Sequence, residues 1–231
     1  MSGTLATLAV AMAAFVGGHF VLSWPPVRAP LVGALGERVF RVLYSAVSVV
    51  FLAWAITAYR GAPFVPLWDF GPTGRTVALA LMPFALVLAV VGLTTPNPTA
   101  VGGERVRDLA RAVRGIVTIT RHPFLWGAAL WALAHLAANG DAAATILFAG
   151  MLVLALGGMV AIDHKRALGM GDAWRAIAVK SSAIPFAAVA AGRVKPDWQG
   201  IGLWRPALGI AVYLILLFSH GWLFGVPALA P

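Results

Sequence analysis

Residues 120–141 read "TRHPFLWGAALWALAHLAANGD". From Pro123 to Ala138 only Gly127 and His135 interrupt an apolar run, which opens on Arg121-His122-Pro123 and closes on the turn Asn139-Gly140-Asp141. That is the pattern of a membrane helix, and the rest of the chain agrees with it. The 231 residues are 61% hydrophobic and 11% charged, with a mean hydropathy of +0.88. Soluble domains carry roughly a quarter charged residues, so the composition specifies an integral membrane protein.

A hydrocarbon core takes about 20 apolar residues of helix. Besides Pro123–Ala138, such runs cover Leu5–Leu22, Val39–Tyr59, Val77–Thr95, Ala142–Ile162 and Pro206–Leu223. The expectation is an all-α polytopic bundle of about six transmembrane helices, one domain over residues 1–231. The first run lacks a basic leader and a cleavage site, and reads as a retained span. Between the last two spans lies a polar segment, Asp163–Arg205. Its "DHKRALGMGDAWRAIAVK" is too charged to cross a bilayer. It predicts an interfacial helix pair with Trp174, Ile177 and Val179 dipping toward lipid.

The formal charge of +9 does not indicate nucleic acid, because the basic residues fill short gaps between apolar runs. Arg28, Arg38 and Arg41 follow span one, and Arg105, Arg107, Arg111, Arg114 and Arg121 precede span four. Lys165, Arg166, Arg175, Lys180, Arg193, Lys195 and Arg205 lie between spans five and six, leaving Arg60 and Arg75 for the other side. The bias places these three loops in the cytoplasm of a bacterial inner membrane, with both termini outside. The partner this implies is the lipid bilayer, with an apolar small molecule as the natural substrate class.

There are no cysteines, which excludes disulfides, thiolate metal sites and cysteine nucleophiles. Of five histidines, His19, His122, His135 and His220 fall inside or at the edge of a span. Intramembrane ionisable groups are costly and point to function, although a plain interhelical hydrogen bond, contributing about 1 kcal/mol, accounts for any one alone. As a set, imidazoles without thiolate in apolar surroundings suit haem iron. Ala13, Ala14, Gly17 and Gly18 would admit a neighbouring helix or a flat macrocycle beside His19. His122 and His135, thirteen residues apart, stand roughly 20 Å from one another on one helix and do separate jobs. Asn139 is one turn from His135 and placed to hydrogen-bond its imidazole. Arg121 and His122, at a helix start, form an anion or cofactor site, completed by Asp163 and Arg166 across the end of span five. His164, amid charges, reads as solvated, and His220 lies at roughly the depth of His135.

"GGHFVLSWPPVRAPLVGALGERVFRVLYS", "TRHPFLWGAALWALAHLAANGD", "IDHKRALGMGDAWR" and "SSAIPFAAVAAGR" together resemble, in the same order, the NnrU family. That family joins bacterial proteins linked to denitrification and nitric oxide metabolism with a plant carotenoid isomerase. The resemblance implies haem b on His19 and His135, and a redox or isomerase activity. The family's plant pattern has a cysteine three residues before the second histidine; Ala132 stands there, so no thiol ligand switch is available. Topology offers another pairing, His19 with His122 and His135 with His220. A fainter similarity is to membrane methyltransferases carrying Arg-His-Pro-x-Tyr-x-Gly. Leu125 replaces the tyrosine, and Asp163-His164 stands for an acidic pair. It implies S-adenosylmethionine at Arg121 and His122 as an alternative to haem chemistry, and a non-enzymatic assembly factor is a third reading.

Overall fold

In the computed structural model, residues 4–100, 103 and 112–229 are described; Arg105, Arg107 and Arg111 of the basic loop lie outside them. Helix α1 (Leu5–Ser23) is followed by α2 (Pro25–Leu35), α3 (Glu37–Gly61) and α4 (Gly71–Thr94). A 3-10 turn at Gly115–Thr118 leads into α5 (Pro123–Ala138), then α6 (Ala142–Met170) and α7 (Asp172–Lys180). The short α8 (Ala187–Ala190) and α9 (Trp198–Ile201) precede α10 (Trp204–Phe224). Among the described residues five helices are long and apolar enough to cross a membrane, and α5 is a shorter apolar one. The chain is a multi-pass helical membrane bundle.

Span one ends at Ser23, and Pro25 and Pro26 then start α2, because a proline in the first helical turn forfeits no hydrogen bond. Two expectations need correction. The polar segment does not begin at Asp163, since α6 continues for 29 residues to Met170 and breaks only at Gly171, φ 54°. The second concerns α7. Trp174 and Ile177 are buried against Ala112, Val113 and Met170 rather than dipping into lipid, and only Val179 points outward. An amphipathic stripe needs an apolar partner, and here the chain itself supplies it.

Helix α4 packs on α5 and α10, α6 on α5 and α1, and α1 on α3. Small residues permit the closest of these approaches, as is usual where lipid provides no hydrophobic drive between helices. A Cβ on Gly127 would lie 2.6 Å from the Ala85 carbonyl oxygen, and one on Gly92 would lie 2.6 Å from the Phe124 nitrogen. A core of Leu8, Ala11, Met12 and Phe15 from α1 meets Ala55, Ala58 and Ala143. Val42, Val49, Val50, Phe218 and Trp222 face outward, as side chains in hydrocarbon do. Helices α1 and α6 run in the same direction, Met12 lying against Gly150 and Phe20 against Gly157. Their C-terminal ends therefore share one end of the bundle with the basic loops, the basic end.

Candidate functional site

The basic end is built around the start of α5. The backbone leading into it is pinned from both sides. Residues 182–186 supply one set of partners: Arg121 N donates to Ser182 O (3.0 Å), and Phe186 N donates to Ile119 O (2.8 Å). The Thr120 hydroxyl and the Trp126 indole both donate to Ala183 O, at 2.7 and 2.8 Å. On the other side the Asn97 amide (3.0 Å) and the Thr99 hydroxyl donate to Arg121 O. With its main chain held so, Arg121 has little freedom left, and its side chain is directed at α6.

There it meets Asp163. Arg121 Nε lies 3.0 and 2.9 Å from the two carboxylate oxygens, and its Nη2 donates to Oδ2. The guanidinium stacks over the Trp174 ring, 5.6 Å from its centroid. A fork pairing of this kind is geometrically specific and strong when partly desolvated. His122 Nε2 lies 2.7 Å from Asp163 Oδ1, so one carboxylate holds both side chains of the Arg-His pair. The expected Arg121–Asp163 contact is formed, and the carboxylate in the arginine fork is the chain's own. Arg166 turns elsewhere, donating to Ala100 O at 2.9 Å.

His122 is only 2% exposed. An ionised carboxylate can only accept, so the nitrogen facing Asp163 carries the proton. The other, Nδ1, is buried with no hydrogen-bond partner among the described residues. Beside it is a cavity of about 720 Å³ between the end of α4, residues 96–100 with Gly103, and the start of α5. The sequence carries no signal of this cavity, because its walls come from segments some thirty residues apart.

The other histidines are dispersed. His19 bonds Phe15 O through Nδ1 (2.7 Å) and packs edge-on against Phe15 and Tyr44. His135 bonds Trp131 O through Nδ1 (2.8 Å), is tilted against Trp131 and stacks on Phe148. His220 bonds Val226 O through Nδ1 (2.6 Å) and packs against Phe224. His164 is exposed. Asn139 does not hold the His135 ring: its amide donates to the His135 carbonyl (2.8 Å). That carbonyl also accepts the Asn139 backbone N–H (2.9 Å), so Asn139 closes the end of its own helix through both groups.

For haem, the donor chemistry fits. In His19 and His135 alike, Nδ1–H is committed to a carbonyl one turn back, which leaves the Nε2 lone pair for iron. The heights differ, however. His135 stacks on Phe148, whereas Phe20, next to His19, lies against Gly157. Those positions are nine residues apart on α6, a rise on the order of 10 Å. Two imidazole nitrogens on one iron stand about 4 Å apart. As placed, each histidine offers a single axial nitrogen.

Two curated relatives are named 15-cis-zeta-carotene isomerase, chloroplastic. The one from Zea mays is 29% identical over 165 residues, 70% of this chain and 44% of the relative. The one from Arabidopsis thaliana is 29% identical over 162 residues, 69% of this chain and 44% of the relative. The matched stretch is thus under half of either relative's length. No solved structure matches the chain. The family model for NnrU protein matches residues 7–228, nearly the whole bundle from α1 through α10, and the chain belongs to the NnrU family.

Proposed function

We propose that this protein is a haem-dependent membrane enzyme of the isomerase kind, acting on a long apolar molecule dissolved in the bilayer. The observation that supports this reading is the setting of His135, its ring locked by Trp131 O and flanked by Trp131 and Phe148. The lock fixes the tautomer, and Nε2 is left as a neutral ligand beside two aromatic rings. Haem b bound there supplies a redox-active iron. With Ala132 one turn before His135, no thiolate competes for that iron. The isomerase relatives favour a carotene-type hydrocarbon as the substrate; a redox role in nitric oxide or denitrification metabolism would use the same imidazole. In this reading the basic end faces the cytoplasm of a bacterial inner membrane and both termini lie across it.

The test is spectroscopic and chemical. Protein from haem-supplied cells should show a Soret band that His135→Ala removes, with His19→Ala and His220→Ala reporting whether either shares the iron. The same preparation, reduced and oxidised, should change the isomer composition of 15-cis-zeta-carotene on chromatography. Absence of the band from the wild type, or an unchanged carotene, sinks the reading.

A further inference from the structure

We infer that the cavity beside His122 is a binding site for a neutral lipid alcohol or phenol, whose hydroxyl donates to His122 Nδ1. This site lies at the opposite end of α5 from His135 and does not depend on haem. Two buried polar atoms lack hydrogen-bond partners beside it among the described residues, His122 Nδ1 and Thr95 Oγ1, and both residues line it. A buried polar atom left unpaired costs about 1–3 kcal/mol. Two on one cavity mark the polar end of a ligand.

The type of each atom sets the chemistry. Asp163 accepts from Nε2–H, so in the neutral imidazole Nδ1 is the acceptor, and the ligand brings an O–H or N–H donor. Thr95, a hydroxyl, can then donate to the same ligand oxygen. A neutral ligand suits the described lining, which holds no Lys, Arg, Asp or Glu. Arg121, next to His122, already has its fork filled by Asp163, and Arg166 donates to the Ala100 carbonyl. The remaining wall is largely apolar, with Leu93, Pro96, Phe124, Leu125 and Ile162, and Leu93 and Phe124 are also exposed on the outer surface of the bundle. The mouth is thus apolar and opens where lipid lies, so the ligand enters from the membrane. At about 720 Å³ the cavity is within the usual range for small-molecule sites. A pure hydrocarbon would leave both polar atoms unpaired, and a phosphate would meet no charged side chain among the described lining residues.

Radiolabelled farnesol, a neutral isoprenoid alcohol, is the probe, with farnesene as the hydroxyl-free control, each equilibrated with the full chain in nanodiscs and with protein-free discs. Farnesol should bind saturably, one per chain, above the lipid background, while farnesene stays at background. His122→Phe keeps a flat ring without an acceptor, and Thr95→Val keeps the shape without a hydroxyl. Each should weaken farnesol binding about fivefold, the effect of one neutral hydrogen bond. In nitrogen-15 spectra the His122 Nδ1 signal should move on adding farnesol. If His122→Phe fails to fold, Thr95→Val and the nitrogen signal decide. Farnesol at background, equal binding by wild type and Thr95→Val, or an unmoved Nδ1 signal (a cavity holding water only) would each overturn the assignment.

Discussion

Deleting the Asp163 carboxylate asks how firmly charge holds the basic end together. In Asp163→Ala, Arg121 keeps its charge at 13% side-chain exposure, and His122 loses the acceptor of its only paired ring nitrogen. Removing one partner of a buried ion pair costs about 3–5 kcal/mol. The residual exposure, 13% for Arg121 and 20% for Asp163, and the Trp174 ring still beneath the guanidinium argue for the lower end, about 3 kcal/mol. Arg121→Met should cost about 2 kcal/mol, since His122 still donates to Asp163. The double variant Arg121→Met/Asp163→Ala removes both charges and should be more stable than Asp163→Ala alone. That corresponds to a coupling of about 2–3 kcal/mol, within the range for residues in direct contact. Reversible unfolding in bicelles by titrated dodecyl sulfate, followed by tryptophan fluorescence, gives all three values. Additivity of the two single effects to within about 0.5 kcal/mol would refute the reasoning.

Three further outcomes follow from the packing. Gly127→Val drives a methyl into the Ala85 carbonyl, and should lower stability by about 2–3 kcal/mol through overpacking; an unshifted unfolding midpoint would show that α4 and α5 can part at no cost. Trp174→Ala empties the contact with Ala112 and Val113 and removes the Arg121 stacking partner. It should cost about 3 kcal/mol, with new protease cleavage confined to residues near α7. Asp197 caps α9 and is held below the usual carboxylate range by the backbone N–H groups of Gly115 and Gly200 and by Arg114. Because its folded pKa is depressed, its contribution is complete above the unfolded value near 3.9 and is lost as pH falls through the folded value. Wild type and Asp197→Asn should therefore differ in stability at pH 6 and converge in strong acid, which an unfolding series against pH would show.

Hydropathy made the six spans legible because each apolar run carries its own signal. The Arg121–Asp163 pair was legible too, since the tight turn at Asn139-Gly140-Asp141 makes α5 and α6 antiparallel neighbours and brings the start of one beside the end of the other. What α7 faces was not legible: an apolar stripe states that something covers Trp174 and Ile177, not whether it is lipid or protein. Asn139 was misplaced because a side-chain amide near a helix end has a nearer acceptor in the backbone than in the imidazole. The cavity left no trace in the sequence, since Thr95 and His122 belong to different segments and neither is unusual alone. For α2, the Pro25-Pro26 pair gives opposite signals at a helix end and at a helix start, and nothing local chooses between them.

The sixteen residues of α5 rise only about 24 Å, against a hydrocarbon slab near 30 Å. Its far end is tied down, with Leu67 N donating to Gly140 O (2.7 Å) and Ala142 N to Val65 O (2.8 Å), so the shortfall falls at His122. Irregular backbone at that depth survives only where protein covers it, and residues 182–186 and Asn97 provide that cover. The surrounding lipids must accordingly thin by several ångströms on this side. Bilayer thickness thereby becomes a control variable for the basic end. Thin membranes would leave the imidazole–carboxylate pair near the interface, and thick ones would draw it below the surface, where its charges are harder to hold and only lipid-borne molecules can reach it.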